Sequence, residues 1–327
     1  MGAISEDDLI SRFFAPIAGS GALGLKDDAA CLTPPPGQDL ILTKDALVAG
    51  VHFFPDDPPE AIARKALRVN VSDLAAKGAD PLGFLLALAL PTGDEADWIE
   101  RFAQGLGEDA ARWGIPLLGG DTVKTPGPAM VSVTALGTAP MGRMVARTGV
   151  RAGDLIFVSG TIGDAALGLQ ARLAPQRFSG LPEEARAHLL ARYLDPQPRL
   201  ALAHALRAHA SGGMDVSDGL VGDLTKMLKA SGVSADIRLQ DAPLSDAARH
   251  SVAMEAALFE TAMTGGDDYE LLVAVSPQKA AALQAAARAA GVPLTLIGEA
   301  VAGTGPPRFT GADGAQIVFA RGSFSHF

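Results

Sequence analysis

The stretch between Pro81 and Pro91 carries no charged residue, and segments of helical periodicity flank it at residues 60–77 and 95–113. It is far shorter than the roughly 20 apolar residues of a membrane helix, and its bounding prolines favour a fully buried strand. A buried strand alternating with helices indicates an α/β protein rather than an all-α or all-β one. Strand-like runs at residues 29–33, 40–42, 116–118 and 129–137 extend the alternation. Pro58 and Pro59 open the first long helix and Gly78 closes it. Near the N-terminus Ser5 suits a helix N-cap, with Ile4 and Leu9 spaced as a hydrophobic staple.

Residues 138–153 are a run of Pro, Gly and Arg with little periodicity, and a domain boundary is placed there, dividing residues 1–140 from 141–327. Beyond it a new strand–glycine–helix unit begins at residue 154. Helices are expected at 183–194, 199–210, 218–230 and 278–290, with strands at 269–275 and 294–297. The 327 residues suit about two domains. A hydrophobic fraction of 48% with 20% charged residues allows a large core and excludes general disorder. The net charge of −10 argues against a sequence-independent grip on nucleic acid. A polyanionic substrate would have to be drawn in by metal ions or local arginines. Cys31 is the one cysteine, which removes a disulfide framework and a cysteine-based zinc site; its apolar neighbours predict burial. Residues 1–8 lack the basic and apolar regions of a signal peptide, so a soluble, cytoplasmic protein is expected.

No glycine-rich loop ends in Gly-Lys-Ser/Thr, so the sequence has no P-loop. Gly160, Gly163 and Gly168 follow a strand, but their spacing is wrong for a dinucleotide fingerprint and reads as a tight strand-to-helix turn. The unusual feature is a set of aspartates at expected turns and helix starts: Asp27, Asp28, Asp45, Asp73, Asp121, Asp215, Asp218, Asp267 and Asp268. Asp and Gly are ordinary turn residues, and Ser217 or Asp218 would simply N-cap the following helix. On the helix at 60–77, Arg64, Lys65, Arg68 and Ser72 form the expected solvated face. Asn70, Asp73 and Lys77 then make a second polar stripe inside apolar surroundings. A carboxylate there needs a partner, which either Lys77 or a metal ion would supply. Several ionised carboxylates close together would call for divalent cations. His52, beside Phe53 and Phe54, reads as a packed side chain or as a ligand, and Arg143 and Arg147 as solvated or as forked phosphate donors.

Several segments occur in a particular order. Gly-Leu-Lys-Asp-Asp-Ala-Ala stands at 24–30, Thr-Lys-Asp-Ala-Leu-Val-Ala-Gly-Val-His-Phe at 43–53, and a helical segment at 65–81. Gly-Gly-Asp-Thr follows at 119–122, Met-Gly-Arg at 141–143 leading to Arg147, and Asp-Val-Ser-Asp-Gly-Leu at 215–220. Gly-Gly-Asp-Asp-Tyr-Glu-Leu at 265–271 and Phe-Ser-His-Phe at 324–327 complete the set. Taken together they resemble the thiamine-monophosphate kinase family, in the ATP-binding superfamily that includes aminoimidazole ribonucleotide synthetase. The resemblance spans essentially the whole chain. It implies a two-domain PurM-like α/β (α+β) fold, with an N-terminal sheet pairing across a dimer axis and a C-terminal α/β domain. It implies Asp28, Thr43, Asp45, Asp73, Asp121, Asp215 and Asp218 as ligands of several Mg2+ ions. Gly120, Asp121, Arg147 and Ser217 are implied as ATP contacts, and His52, Asp267 and Phe324 as thiamine-phosphate contacts. The implied activity is ATP-dependent phosphorylation of thiamine monophosphate to thiamine diphosphate by a homodimer, with neither nucleic acid nor membrane as partner.

Some positions depart from the family. Asp267 stands where Glu is usual, Lys26 where Gly is common, Ser323 where Gly is frequent, and Lys44 where a Thr usually precedes the metal-binding Asp. Lys44 could pair with phosphate, replace a metal contact, or weaken the site. The nucleophile in the implied reaction is a phosphate oxygen that is already ionised, so alignment and charge neutralisation are needed rather than a strong base. Two other readings are a ligase-type relative that activates a carbonyl oxygen or selenide with ATP, and a non-catalytic nucleotide-binding protein. No C-terminal cysteine is present to support a carbamoyl-dehydrating chemistry.

Overall fold

The computed structural model describes residues 5–91, 95–319 and 322–323. The chain divides into two compact units, Met1–Leu74 with Ala79–Gly142, and Ala75–Gly78 with Arg143–Phe327.

The first unit opens with a short helix, α1 (Glu6–Leu9), and single helical turns as far as Leu25. Ser5 Oγ accepts the Asp8 N–H at 3.2 Å, the expected N-cap bond. Ile4, the other half of the expected staple, lies outside the described residues. There follow β1 (Gln38–Val48), α2 (Pro59–Ala76), β2 (Asp80–Leu90), α3 (Glu95–Trp113), β3 (Leu117–Lys124) and β4 (Met130–Pro140). The sheet order is β1-β4-β2-β3. β2 and β3 run parallel, joined by α3 as the crossover helix, while β4 pairs antiparallel with both β1 and β2.

Several expectations are corrected here. Residues 29–33 form no strand: Pro34, Pro35 and Pro36 follow at once and cannot donate to a ladder. Cys31 is therefore exposed rather than buried, tied only through its backbone N–H to Gly21 O at 2.8 Å. β2 is not fully buried, because Phe84, Leu86 and Leu88 face the core while Leu85 is 41% exposed. The expected solvated face of α2 is also wrong. Lys65, Arg68 and Ser72 are buried, and Lys65 Nζ donates to His52 O at 2.9 Å. Arg68 forks onto Asp109 of α3 with bonds of 2.6 and 3.1 Å, beneath the Trp113 ring. Helical periodicity cannot foresee a counter-charge that arrives from another helix.

The second unit contains β5 (Leu155–Ser159), α4 (Asp164–Leu173), α5 (Glu183–Leu194), α6 (Ala203–His209), β6 (Gly212–Val216) and α7 (Leu220–Ser231). It continues through β7 (Ser234–Arg238), α8 (Asp246–Met254), α9 (Leu258–Thr264), β8 (Glu270–Val275), α10 (Pro277–Ala289), β9 (Leu294–Val301), β10 (Arg308–Thr310) and β11 (Gln316–Ile317). The seven strands are ordered β11-β10-β7-β9-β5-β8-β6, with β10–β7 the parallel pair. Alternate residues of the central strands feed two cores. Ile156, Val158, Leu272 and Ala274 pack with Leu167, Leu189 and Leu224 on one side, and Phe157, Leu271 and Val273 with Leu202, Leu206 and Leu283 on the other. No helix among the described residues is long and apolar enough to cross a membrane.

Truncating Arg68 leaves the buried Asp109 carboxylate without its counter-charge, so Arg68→Ala should cost about 3–5 kcal/mol in chemical denaturation. Arg101→Ala, which breaks the exposed pair with Glu60 at 2.9 Å, should cost about 1 kcal/mol or less. Equal losses in the two variants would contradict this ranking.

Candidate functional site

In the first unit, the pleat of β1 sorts the candidate residues. Thr43 and Asp45 share the side of β1 that carries buried Ile41 and Leu47, facing α2, where the Thr43 hydroxyl donates to Asp73 Oδ2. Lys44 lies on the opposite side. Its ammonium donates to Ser132 Oγ at 2.8 Å, and that hydroxyl donates to Asp45 O at 3.0 Å. Asp45 and Asp121 therefore sit within strands rather than in the expected turns. The register places Asp121 beside Ala87, and Lys44 beside Thr134, which in turn faces Leu85. Lys44, Asp28, Gly120 and Asp121 together line a cavity of about 880 Å3, with Leu25, Leu32, Leu85 and Ala87 also in its lining. Gly120 is required by close approach, because a Cβ there would meet Leu86 O at 1.9 Å. The structure thus brings Thr43, Asp45 and Asp73 together on one face of the sheet, and Asp28, Gly120 and Asp121 on the other. His52 follows β1, and its Nδ1 accepts the Val48 N–H at 3.0 Å, which leaves Nε2 as the donor nitrogen of the neutral ring.

In the second unit, antiparallel pairing of β6 and β8 sets Val216 opposite Glu270 and Asp215 opposite Leu271. The loop after β6 therefore lies against the loop before β8, with Asp267 N–H donating to Ser217 O and Tyr269 N–H to Val216 O, both at 2.8 Å. This gathers Asp215, Ser217, Asp218 and Asp267. Asp215 ends a strand instead of forming a turn, and neither Ser217 nor Asp218 caps α7. Asp223, in the first turn of α7, instead anchors the preceding loop, its Oδ2 accepting the N–H groups of Ser217 and Asp218 at 2.9 and 2.8 Å. Burial pushes the Asp223 carboxyl above its usual range, against the pull of the Asp218 N–H and the Lys226 ammonium. Lys226 reaches Asp218 at 2.5 Å and Asp223 at 3.0 Å; burial works against its charge, but these carboxylates raise it overall. Arg147 is exposed in a one-turn helix whose carbonyl accepts Ser231 Oγ at the far end of α7 from Ser217. Phe324 lies outside the described residues.

The strand-to-helix turn after β5 has Gly160 and Gly163 at φ +56° and +88°. Its helix start is filled by Asp268, whose Oδ2 accepts the Gly163 N–H at 2.8 Å. Burial pushes Asp268 well above the usual carboxylate range. Sequence reasoning missed the roles of Asp223, Lys226, Asp268 and Glu270. Asp268 and Glu270 stand in the quoted 265–271 motif, but nothing local distinguishes the buried carboxylates from the half-exposed Asp267. Within either unit, no three described His, Cys, Asp or Glu side chains form a ready-made metal centre.

Two family descriptions divide the chain in the same way: residues 26–139 match AIR synthase related protein, N-terminal domain, and residues 151–307 match AIR synthase related protein, C-terminal domain. The fold is that of this two-domain, PurM-like class. A thiamine-monophosphate kinase of Caulobacter vibrioides is 46% identical over 92% of this chain and 85% of its own length. The crystal structure of thiamine-monophosphate kinase from Stenotrophomonas maltophilia K279a matches with a TM-score of 0.81 and 38% identity, covering 90% of this chain and 91% of that one. A structure described as AaThiL complexed with AMPPCP and TMP matches with a TM-score of 0.78 and 30% identity, over 98% and 94% of the two chains. The chain belongs to the thiamine-monophosphate kinase family.

Because Asp268 binds its proton more tightly folded than unfolded, the folded state gains from protonation above the ordinary Asp value of about 3.9. Asp268→Asn lacks that proton. Wild-type stability relative to the variant should therefore rise as the pH falls from neutrality toward the ordinary Asp value, by at most about 1.4 kcal/mol per pH unit. Urea titrations of both proteins across this range check it, and a pH-independent difference would contradict it.

Proposed function

We propose that this chain transfers the γ-phosphoryl group of ATP to the phosphate of thiamine monophosphate, giving thiamine diphosphate and ADP. The carrying observation is the match over nearly the full chain to AaThiL complexed with AMPPCP and TMP. The family's positions retained here support it: Asp28, Asp45, Asp73, Asp121, Asp215 and Asp218. A phosphate oxygen of the acceptor attacks the γ-phosphorus, and the bond to the β,γ-bridging oxygen breaks. The acceptor oxygen is already ionised, so no proton has to move first.

The donor set suits magnesium. Thr43 and Asp73 place a hydroxyl and a carboxylate in direct contact, and every other candidate ligand is also a hard oxygen. Thr43, Asp45 and Asp73, with Asp28, Asp121, Asp215 and Asp218, would hold the ions. When bound, magnesium neutralises phosphate charge and draws the two anions into line. Asp218 already pairs with Lys226, so a metal ion there would compete with that ammonium. Gly120 lets β3 lie close against β2 where it lines the cavity, Ser217 lies in the loop just after Asp215, and Arg147 offers a forked donor for phosphate. His52 and Asp267 would contact thiamine monophosphate, the carboxylate matching its cationic thiazolium and amino group. The first unit would also carry a homodimer contact, because Leu40, Leu42 and Leu85 expose 40%, 61% and 41% of their surface on one face of its sheet. The cytoplasm is the proposed location.

Chromatographic assay of thiamine diphosphate from ATP and thiamine monophosphate tests this reading, with aminoimidazole precursor and selenide as control acceptors. ATP consumption with a control acceptor alone would overturn it. Asp73→Asn should lower kcat about a hundredfold or more while circular dichroism shows an unchanged fold. Near-normal turnover in saturating magnesium would remove Asp73 from the ligand set.

Lys44 faces away from Thr43 and Asp73, so it does not obstruct that pair. Its ammonium adds positive charge to the cavity that holds Asp28 and Asp121. There it would neutralise a phosphate in place of metal charge, so Lys44→Thr should raise the magnesium concentration needed for half-maximal rate and retain turnover at saturation. Rates measured across a magnesium series check this, and an unchanged magnesium dependence would show that Lys44 takes no part.

A further inference from the structure

Within residues 265–269, two side chains stand on left-handed backbone. Asp267 has φ +74° and Tyr269 φ +51°, and a bulky aromatic residue rarely enters this left-handed region. Such a conformation persists only where surrounding structure over-determines it. Here the side chains alternate: Asp267 and Tyr269 are half-buried, while Asp268 and Glu270 are fully buried. The two buried carboxylates are the anchors. Asp268 takes the Gly163 N–H at the start of α4. Glu270 accepts Ser159 Oγ at 2.6 Å, Arg192 Nη2 at 3.0 Å and Arg199 Nε at 2.7 Å, with a second bond from the Arg199 fork to Oε1. Arg192 also reaches the Asp268 carbonyl at 3.5 Å. Gly160 leaves the room this arrangement needs, since a Cβ there would meet Glu270 Oε1 at 2.1 Å. On the half-buried side, the Tyr269 hydroxyl donates to Asp267 Oδ1 at 3.3 Å, which orients that carboxylate.

We propose that Arg192 and Arg199 are positioning residues for thiamine monophosphate: by clamping Glu270 they fix the strained 265–269 loop and thereby aim Asp267 at the substrate. This rests on the assignment of Asp267 as a substrate contact. Neither arginine needs to touch the substrate. A fork is required because Glu270 presents two oxygens to two guanidiniums, and a lysine supplies charge without the paired geometry.

The test is steady-state kinetics of wild type, Arg199→Lys, Asp267→Ala and the double variant Arg199→Lys/Asp267→Ala, with thermal midpoints recorded alongside. Arg199→Lys should raise KM for thiamine monophosphate about tenfold, leaving KM for ATP within about twofold, as expected for a contact displaced by a fraction of an ångström. In the Asp267→Ala background the same change should have no further effect on KM for thiamine monophosphate, because its route to the substrate is gone. An unchanged KM in folded Arg199→Lys, a parallel rise for both substrates, or additive effects in the double variant would each overturn the proposal. If Arg199→Lys does not fold, Arg192→Lys replaces it, since the Arg199 fork then stays on Glu270. Failure of both to fold would make the clamp purely structural and overturn the positioning role. Failure of the functional reading looks different, because the wild type itself would then make no thiamine diphosphate.

Discussion

Glu270 is wholly enclosed at the first residue of β8, and its charge is tolerated only because two guanidiniums and a hydroxyl surround it. Breaking such a pair in low dielectric leaves an uncompensated ion that costs several kcal/mol, so the surrounding elements are bound to one arrangement. Arg192 comes from α5, Arg199 from the segment that follows it, and Ser159 from the end of β5. The same residue begins the pairing of β8 with β6, opposite Val216. One buried charge thereby fixes the register of the strands whose ends carry Asp215, Ser217 and Asp267.

The first unit solves a different problem by simpler means. It must present several acidic side chains within a protein of net charge −10. Strand geometry keeps them from crowding: Thr43 and Asp45 lie on one side of β1 with Asp73, and Asp28 and Asp121 line the cavity on the other side, where Lys44 adds a cation. The separation lowers mutual repulsion without giving up charge. Both units place glycines where a Cβ would not fit, as Gly120 does against the β2 backbone and Gly160 against the Glu270 carboxylate.

Helices α3 and α5 lie at the bounds their periodicity predicts, because an apolar stripe and its terminating residues are local properties. The aspartates are less legible from local sequence. Asp45, Asp121 and Asp215 look like turn residues beside Gly, Thr and Lys, yet pairing with β4, β2 and β8 draws each into a strand. Local preference is overridden there by ladder hydrogen bonds to partners far along the chain. The burial of Lys65 and Arg68 failed to show for the same reason, since Asp109 and the His52 carbonyl lie outside any window of helical periodicity.

The sequence by itself determined the α/β class, the long helices and the ordered set of motifs, since these depend on residue type and spacing along the chain. Only tertiary structure decided which carboxylates stay accessible and which are internal struts. Asp267 and Asp268 are adjacent and chemically identical, but one is half-buried beside Ser217 and the other is sealed against the start of α4. The left-handed backbone at Asp267 and Tyr269 sends neighbouring side chains to opposite environments, and the environment, not the residue, sets what a carboxylate can do.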